Sequence, residues 1–234
     1  MAKAFETWTV LPHDPLEKLS ENLWRLEGQM PDPNTRRIMT LVRLQDGRVL
    51  MHNAIALEDE LMREIDEWGE VAGILVPNAF HRQDAKIMAE RYPKAKVYCP
   101  GGARSKVEQV VAVTGTYADA PGDSTVQVRH LAGMKDKEGV IEVRSNDGVT
   151  AVFCDAVLNM KPMGGLFGFL LAPTGQPSVP RLVRWMMASD KTALRADIEG
   201  IAATDGLKRV IPGHGKMIHQ GAAESLRTAA GTLG

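Results

Sequence analysis

The chain has 234 residues, and 28 Lys+Arg against 29 Asp+Glu give a formal net charge of −1. This balance supplies no electrostatic reason for binding nucleic acid, and we expect no such partner. Hydrophobic residues make up 44% and charged residues 24%, which is typical of globular proteins. Because no internal repeat or low-complexity tract is present, we predict a single domain over residues 1–234.

The compartment is predicted from cysteine content and from apolar runs. Cys99 and Cys154 are too few for a disulfide framework, which favours a reducing environment. Residues 1–8 contain no apolar core of signal-peptide length. The longest apolar run, residues 163–173, is about half of a membrane span. We therefore expect a cytoplasmic protein without a membrane partner.

The N-terminal half alternates predicted strands and helices. Leu57, Leu61, Ile65 and Trp68 share one face of a helix. Two more helices are predicted, over residues 81–91 and 103–113. Strands are predicted where apolar residues alternate or run continuously, over residues 22–27, 37–44, 48–52, 71–76 and 96–99.

The C-terminal half continues the mixture, with strands predicted over residues 125–131, 139–144 and 149–154. Residues 156–180 show no period and are interpreted as a long irregular connection. Ser189 or Asp190 is the predicted cap of a helix that closes at Gly206. A strand over 207–212, a turn over 213–215 and a helix over 219–230 complete the prediction. This order favours an α/β protein with two sheets flanked by helices.

Three polar residues follow the ends of predicted apolar strands. His81 comes after residues 71–76, Asp155 after 149–154, and His214 after the last strand, between two glycines. Open α/β sheets place their chemistry at the carboxyl ends of strands. Two imidazoles and one carboxylate suit Zn or Fe(II) better than calcium. Taken singly, each residue is more often a cap, a surface residue or part of a turn than a metal ligand.

Taken together and in order, these segments resemble the metallo-β-lactamase superfamily. The resemblance covers about residues 22–220 and is carried by Ile38–Leu44 with Asp46–Leu50, by Val71–His81, by Val152–Ala156 and by Val210–Gly215. It implies an α/β fold of the αββα sandwich type, with the site at one edge between the sheets. The last segment, Val-Ile-Pro-Gly-His-Gly, is the strongest match.

The family's metal motifs are degenerate in this sequence. Asn78 stands where the first histidine is expected, Phe80 where the metal-binding aspartate is expected, and Met134 where the middle ligand is expected. The resemblance therefore implies that the first metal site has lost its histidines. The second site keeps His81, Asp155 and His214. His52, at the end of the opening hairpin, is an auxiliary candidate as a replacement ligand or base.

Two functions stand near parity, and a third has less support. The first is a hydrolase with at most one Zn or Fe ion, acting on a small ester, lactone, thioester or phosphoester. The second is a metal-free protein on the same fold that binds a ligand or a partner. The third is an iron oxidoreductase, since two histidines and a carboxylate resemble a facial triad. Residues 158–180 are predicted to line or cover the pocket or to mediate self-association as a homodimer.

Overall fold

A computed structural model describes residues 3–32 and 35–234 and contains two β-sheets with helices on their outer faces. The first sheet contains β1 (Glu17–Ser20), β2 (Leu23–Gln29), β3 (Arg36–Arg43), β4 (Val49–His52), β5 (Val71–Leu75), β6 (Lys96–Cys99) and β7 (Gly115–Thr116). The second contains β8 (Val126–His130), β9 (Gly139–Ser145), β10 (Gly148–Val152) and β11 (Leu207–Ile211). The helices are α1 (Asp59–Trp68), α2 (Ala85–Arg91), α3 (Arg104–Val107), α4 (Gly165–Leu171), α5 (Arg181–Met186), α6 (Lys191–Ala202) and α7 (Ala222–Gly231).

Each sheet changes from antiparallel to parallel pairing close to the predicted site residues. In the first sheet, β1 to β4 pair antiparallel and β4 to β7 pair parallel, with His52 opposite Leu75. In the second, β8 to β10 are antiparallel, and β10 pairs parallel with β11, with Val152 opposite Ile211. Parallel neighbours end at the same edge of a sheet, so the carboxyl ends of β4 and β5 share one edge of the first sheet and those of β10 and β11 share one edge of the second.

Alternate side chains of each strand face either the other sheet or the outer helices, and this alternation produces the layers of the fold. Leu50 packs between the two sheets, with Leu75 and Ile211. The next residue, Met51, faces the other way and packs in the cluster that contains the α1 residue Met62, because successive side chains of a strand point to opposite faces. The outer face of the second sheet is covered in the same way by α6 and α7. The predicted αββα sandwich is confirmed.

Two of the predicted helices are shorter than expected. The helix predicted from residue 81 begins at Ala85, because the backbone N–H groups of Phe80 and His81 donate to the Asn78 side chain instead of continuing a helix. The helix predicted over 103–113 is a 3₁₀ turn over Gly101–Ala103 followed by the four residues of α3. The β-branched run after it, Val110, Val111 and Val113, opposes helix continuation.

The prediction for residues 156–180 is wrong in part, because this segment contains α4. Its apolar residues lie on all sides of the helix, so the sequence shows no amphipathic period. The Asp190 cap is confirmed, since its Oδ1 accepts a hydrogen bond of 3.0 Å from the Ala193 N–H. The helix that it starts ends at Ala202, before Gly206, and the last helix begins at Ala222 instead of 219. The short strands β1 and β7 and the helix α5 were not predicted.

Candidate metal centre

The three residues predicted from the strand ends meet at the common edge of the two sheets. His81 lies in the loop after β5, Asp155 follows β10, and His214 follows β11. The His214 loop fits closely against the chain after β10. A Cβ at Gly213 would lie 2.8 Å from the Cys154 Cα, and Gly215 has a φ of +85° with the Asn159 carbonyl oxygen 2.2 Å from a Cβ position. Both glycines are therefore needed for the approach that brings His214 to Asp155.

Three electron-pair donor atoms form a nearly equilateral triangle. The His81 Nε2 lies 3.2 Å from the Asp155 Oδ1 and 3.2 Å from the His214 Nε2, and the His214 Nε2 lies 3.4 Å from the same carboxylate oxygen. Tetrahedral ligands at about 2.0–2.1 Å from a zinc ion are about 3.3–3.4 Å apart. The spacing and the donor types therefore fit one face of a tetrahedral metal site, with the fourth position left for a water molecule or a substrate.

The outer nitrogens of both imidazoles are held by acceptors. The His81 Nδ1 lies 3.1 Å from the Asn53 Oδ1, and the His214 Nδ1 bonds the Arg36 carbonyl oxygen. The Asn53 amide is itself fixed, because its Nδ2 donates to the Ile38 carbonyl and Arg37 donates to its Oδ1. Acceptors at Nδ1 favour the Nδ1–H form of each neutral imidazole, which leaves the Nε2 lone pair directed at Asp155; a protonated ring instead donates its Nε2–H to that carboxylate.

Burial and charge set the protonation states of the triangle. Burial raises the pKa of Asp155, but the charges and hydrogen bonds of His81 and His214 outweigh it and hold this pKa well below its ordinary value. Burial lowers the pKa of His81 more than Asp155 raises it. For His214, the hydrogen bond and charge of Asp155 outweigh burial and raise the pKa. The cluster therefore contains one buried carboxylate, and a positive charge beside it stabilises its ionised form.

The second oxygen of Asp155 has a different environment. The Asn78 Nδ2 donates to the Asp155 Oδ2 at 2.9 Å and to the Glu138 Oε2 at 3.1 Å. Glu138 is fully buried, and burial together with the charge of Asp155 raises its pKa to about 8. Sequence reasoning missed Glu138, since it joins the site through tertiary contacts with Asn78 and with the Ala156 N–H, which donates to its Oε1. Asn78 thus links two carboxyl groups by donated hydrogen bonds.

A cavity of about 300 Å³ opens over the triangle, and we call it the apolar pocket. Its walls include His81, Asp155 and His214. Most of its other lining side chains are apolar, among them Phe80, Leu158, Met160, Phe167, Leu171 and Val183. Residues 158–180 therefore line the pocket, as predicted. Such a cavity accepts a ligand that is largely apolar and has a polar group at the triangle.

Comparisons with known proteins agree on the architecture. No protein-family model and no curated protein sequence matches the chain. The solved structure of the DIM-1 metallo-β-lactamase superimposes with a TM-score of 0.64 at 14% identity, covering 96% of this chain and 100% of that one. FIM-1 from Pseudomonas aeruginosa, in its mono-zinc form, gives 0.61 at 13% identity over 95% and 96% of the two chains. VMB-1 gives 0.61 at 14% identity over 94% and 95%.

The chain has the metallo-β-lactamase fold. The resemblance predicted from the strand-end segments is confirmed at this level. At 13–14% identity, the likeness to metallo-β-lactamases shows the fold alone. The arrangement of polar groups, rather than the fold, must then carry any argument about chemistry.

The three departures from the metallo-β-lactamase motifs have structural roles in this chain. Met134 is fully buried in the core beneath α6. Phe80 is half-buried and forms part of the pocket wall. Asn78 makes the hydrogen bonds described above. These three positions therefore contribute packing and hydrogen bonds around the triangle.

Two further residues lie near the triangle in this metallo-β-lactamase fold. His52 is buried, and burial together with the charge of His81 lowers its pKa to about 3, so it is neutral. Its role as an auxiliary ligand stays a prediction. Cys154, missed by sequence reasoning although it precedes Asp155, has its Sγ within 4.8 Å of the ligating atoms of His81 and Asp155. Burial and the charges of Asp155 and Glu138 raise the pKa of this thiol well above its ordinary value, which disfavours the ligating thiolate.

Within the described part of the chain, no helix has both the length and the apolar character needed to cross a bilayer.

Proposed function

We propose that the protein is a hydrolase with a single metal ion, Zn or Fe, held by His81, Asp155 and His214. The observation that supports this proposal is the triangle of Nε2, Oδ1 and Nε2 atoms with sides of 3.2, 3.2 and 3.4 Å. Its substrates are small esters, lactones, thioesters or phosphoesters. A substrate with an apolar acyl or alkyl part fits the apolar pocket best.

The chain's own residues orient and enclose the reacting groups. When bound, a metal ion in this triangle polarises a carbonyl or phosphoryl oxygen and activates water at neutral pH. Asn53 and the Arg36 carbonyl keep the two imidazoles turned toward Asp155. Asn78 fixes the Asp155 carboxylate from the other side. Phe80 and Leu158 line the pocket and reduce the access of bulk water to the reacting bond.

The site is proposed to hold at most one ion. On the Oδ2 side of Asp155, the nearest partner is the amide nitrogen of Asn78. An amide N–H₂ group donates hydrogen bonds and offers no lone pair to a cation. Burial and the charge of Asp155 raise the pKa of Glu138 to about 8, which disfavours the charged carboxylate that a second ion would need. A second ion would therefore lack ligands on that side.

Metal content after metal-free purification and repletion with zinc tests the proposal. We expect about one zinc per chain for the wild type. We expect a loss of affinity of about 100-fold or more for His81→Ala and His214→Ala, because each removes a ligand. His219→Ala, which changes an exposed histidine, is the matched control and should bind like the wild type. Hydrolysis of model esters and thioesters should require the metal-loaded protein.

A metal-free binding protein is the alternative, and one observation favours it. The Asp155 carboxylate already lies within hydrogen-bond distance of His81 and His214. Because the pKa of His214 is raised, a proton on His214 can balance the charge of Asp155 in place of a metal ion. Wild-type protein without bound metal after repletion would support this alternative and overturn the hydrolase proposal. Stoichiometric metal that both histidine variants lose would overturn the alternative.

A further inference from the structure

Helices α4 and α5 carry large apolar side chains on the outside of the molecule. Leu166 is 76% exposed and Trp185 is 61% exposed, and Phe167, Phe169 and Met186 are about half exposed. We call these five side chains the apolar patch. Within the described residues, they are all of the exposed large hydrophobic side chains. A contiguous group of this kind marks an interaction surface.

The patch is an ordered surface formed by contacts between the two helices. The Arg181 guanidinium lies 4.1 Å from the centre of the Phe169 ring and 5.9 Å from that of Trp185. The two rings lie 6.1 Å apart in a tilted arrangement. Arg181 also donates a hydrogen bond of 2.9 Å to the Phe169 carbonyl. These contacts hold the aromatic rings in place while leaving their outer faces exposed.

The charged side chains in the chain segment that carries the patch are all of one sign. Residues 156–189 contain Lys161, Arg181 and Arg184 and no Asp or Glu, although the whole chain has a net charge of −1. Lys161 is exposed and the two arginines are half-buried. A symmetric pair of two copies would bring each cationic patch against itself. The complementary surface is instead apolar and anionic, which is the character of a bilayer with anionic headgroups.

The patch is continuous with the apolar pocket. Phe167 and Met186 belong to the patch and also line the pocket above His81, Asp155 and His214. An acyl chain could therefore pass from a bilayer into the pocket along an apolar path. Tryptophan at the edge of such a surface is typical of proteins that rest on a membrane interface.

We propose that the apolar patch docks on an anionic lipid surface and that the apolar pocket takes the acyl part of an amphiphilic ligand from it. This proposal departs from the expectation of no membrane partner. That expectation rests on the lack of a membrane-spanning run, and docking of this kind needs no membrane-spanning segment. It is also independent of the metal, because none of the three ligands belongs to the patch.

Flotation with lipid vesicles tests the proposal. The full chain is mixed with phosphatidylcholine vesicles with or without about 30 mol% phosphatidylserine. We expect binding to the anionic vesicles that weakens as salt is added, and little binding to the neutral ones. Trp185 should report the docking by a blue shift of its fluorescence, since the other three tryptophans, Trp8, Trp24 and Trp68, pack in the core cluster that contains α1.

Matched variants separate the apolar and charged contributions. Leu166→Ser with Trp185→Ser should weaken vesicle binding about 10-fold or more. Trp185→Phe should keep most of the binding and lose the fluorescence shift. Lys161→Glu should weaken binding about 5-fold or more, whereas Lys94→Glu, an exposed lysine outside the patch, should not.

Three outcomes would overturn the proposal. The first is no binding to anionic vesicles, and the second is equal binding to neutral and anionic vesicles. The third is a dimer in light scattering that dissociates in Leu166→Ser with Trp185→Ser, which would assign the patch to a second copy of the chain. Zinc-free and zinc-loaded wild-type protein should bind vesicles equally. Failure of vesicle binding and failure of zinc binding are therefore distinguishable.

Discussion

An aspartate lies at each end of β10, and the two differ in the side chains that form hydrogen bonds to their carboxylates. Asp147 precedes β10 and accepts hydrogen bonds of 2.7–2.8 Å from Lys208 and from both terminal nitrogens of Arg209. Asp155 follows β10 and faces two imidazole nitrogens. The pKa of each carboxyl is lowered. A lowered pKa alone therefore does not mark a functional site, and the chemistry of the partners decides.

An arginine lies near each end of β10, but only one of them binds its aspartate. Arg209 pairs directly with Asp147, so that end is neutralised by permanent cations. Arg37, only 3% exposed, pairs with Asp84 and donates to Asn53. It supports the imidazole of His81 indirectly and leaves the Asp155 carboxylate to the two histidines. The carboxylate of Asp155 thus keeps a negative charge that a bound cation can neutralise.

The largest expected effect comes from the buried arginine. Arg37→Met should lower the free energy of unfolding by about 3–5 kcal/mol, because it leaves the 2% exposed Asp84 carboxylate without its cation. Arg195→Met is the matched control, since Arg195 and Glu199 are both nearly half exposed, and it should cost about 0.5 kcal/mol or less. Urea unfolding measures both values. Equal losses in the two variants would contradict the supporting role of Arg37.

The two aspartates should differ in zinc binding. Asp155→Asn should weaken zinc affinity about 100-fold or more, because the amide that replaces the carboxylate is a poor ligand. Asp147→Asn should leave zinc affinity unchanged, since its partners are Lys208 and Arg209. Competitive titration with a chelating dye measures both. A similar loss in Asp147→Asn would remove the distinction between the two ends of β10.

The smallest expected effect is acid sensitivity at the Asp147 end. The hydrogen bonds from Arg209 and the one from Lys208 lower the pKa of Asp147 to about 2 despite burial. Since the folded pKa is below the unfolded value, this stabilisation is complete above about pH 4 and is lost as the pH falls toward 2. The side chain is 30% exposed, so solvent screening limits the contribution to about 1 kcal/mol.

Urea unfolding of the wild type and Asp147→Asn at several pH values measures this contribution. The variant should be less stable by about 1 kcal/mol at pH 7, and the difference should shrink below about pH 4 and disappear below about pH 2. A difference that stays constant across this range would show that the Asp147 contribution does not arise from its charge.

The sequence predicts the parts of the fold that follow from local patterns. Alternation and continuous apolar runs locate most strands, and the strand ends place His81, Asp155 and His214 correctly at one edge. Local patterns fail where tertiary hydrogen bonds replace helical ones. Asp84, for example, accepts from the Ala56 N–H and from Arg37, which ties the segment before α2 to the first sheet.

Part of the candidate site could not be predicted because it depends on contacts between distant segments. Glu138 meets Asn78 across 60 residues, and no local motif marks either of them as partners. The same holds for Asn53, whose amide contacts His81 only because β4 and β5 are parallel neighbours. The sequence shows that residues 156–180 are largely apolar, but it does not show that the apolar side chains of α4 are exposed.

The hydrogen bond between the His214 ring and the Arg36 carbonyl joins residues that are 178 positions apart. The Ile38 N–H also donates to the Gly213 carbonyl, at 2.9 Å. During synthesis, all strands of the first sheet are therefore made long before His214 can reach the edge of that sheet. Until β11 leaves the ribosome, the nascent chain exposes His81 and Asp155 without His214. The triangle is thus assembled among the last features of the protein, and a nascent chain that ends before residue 214 cannot form it.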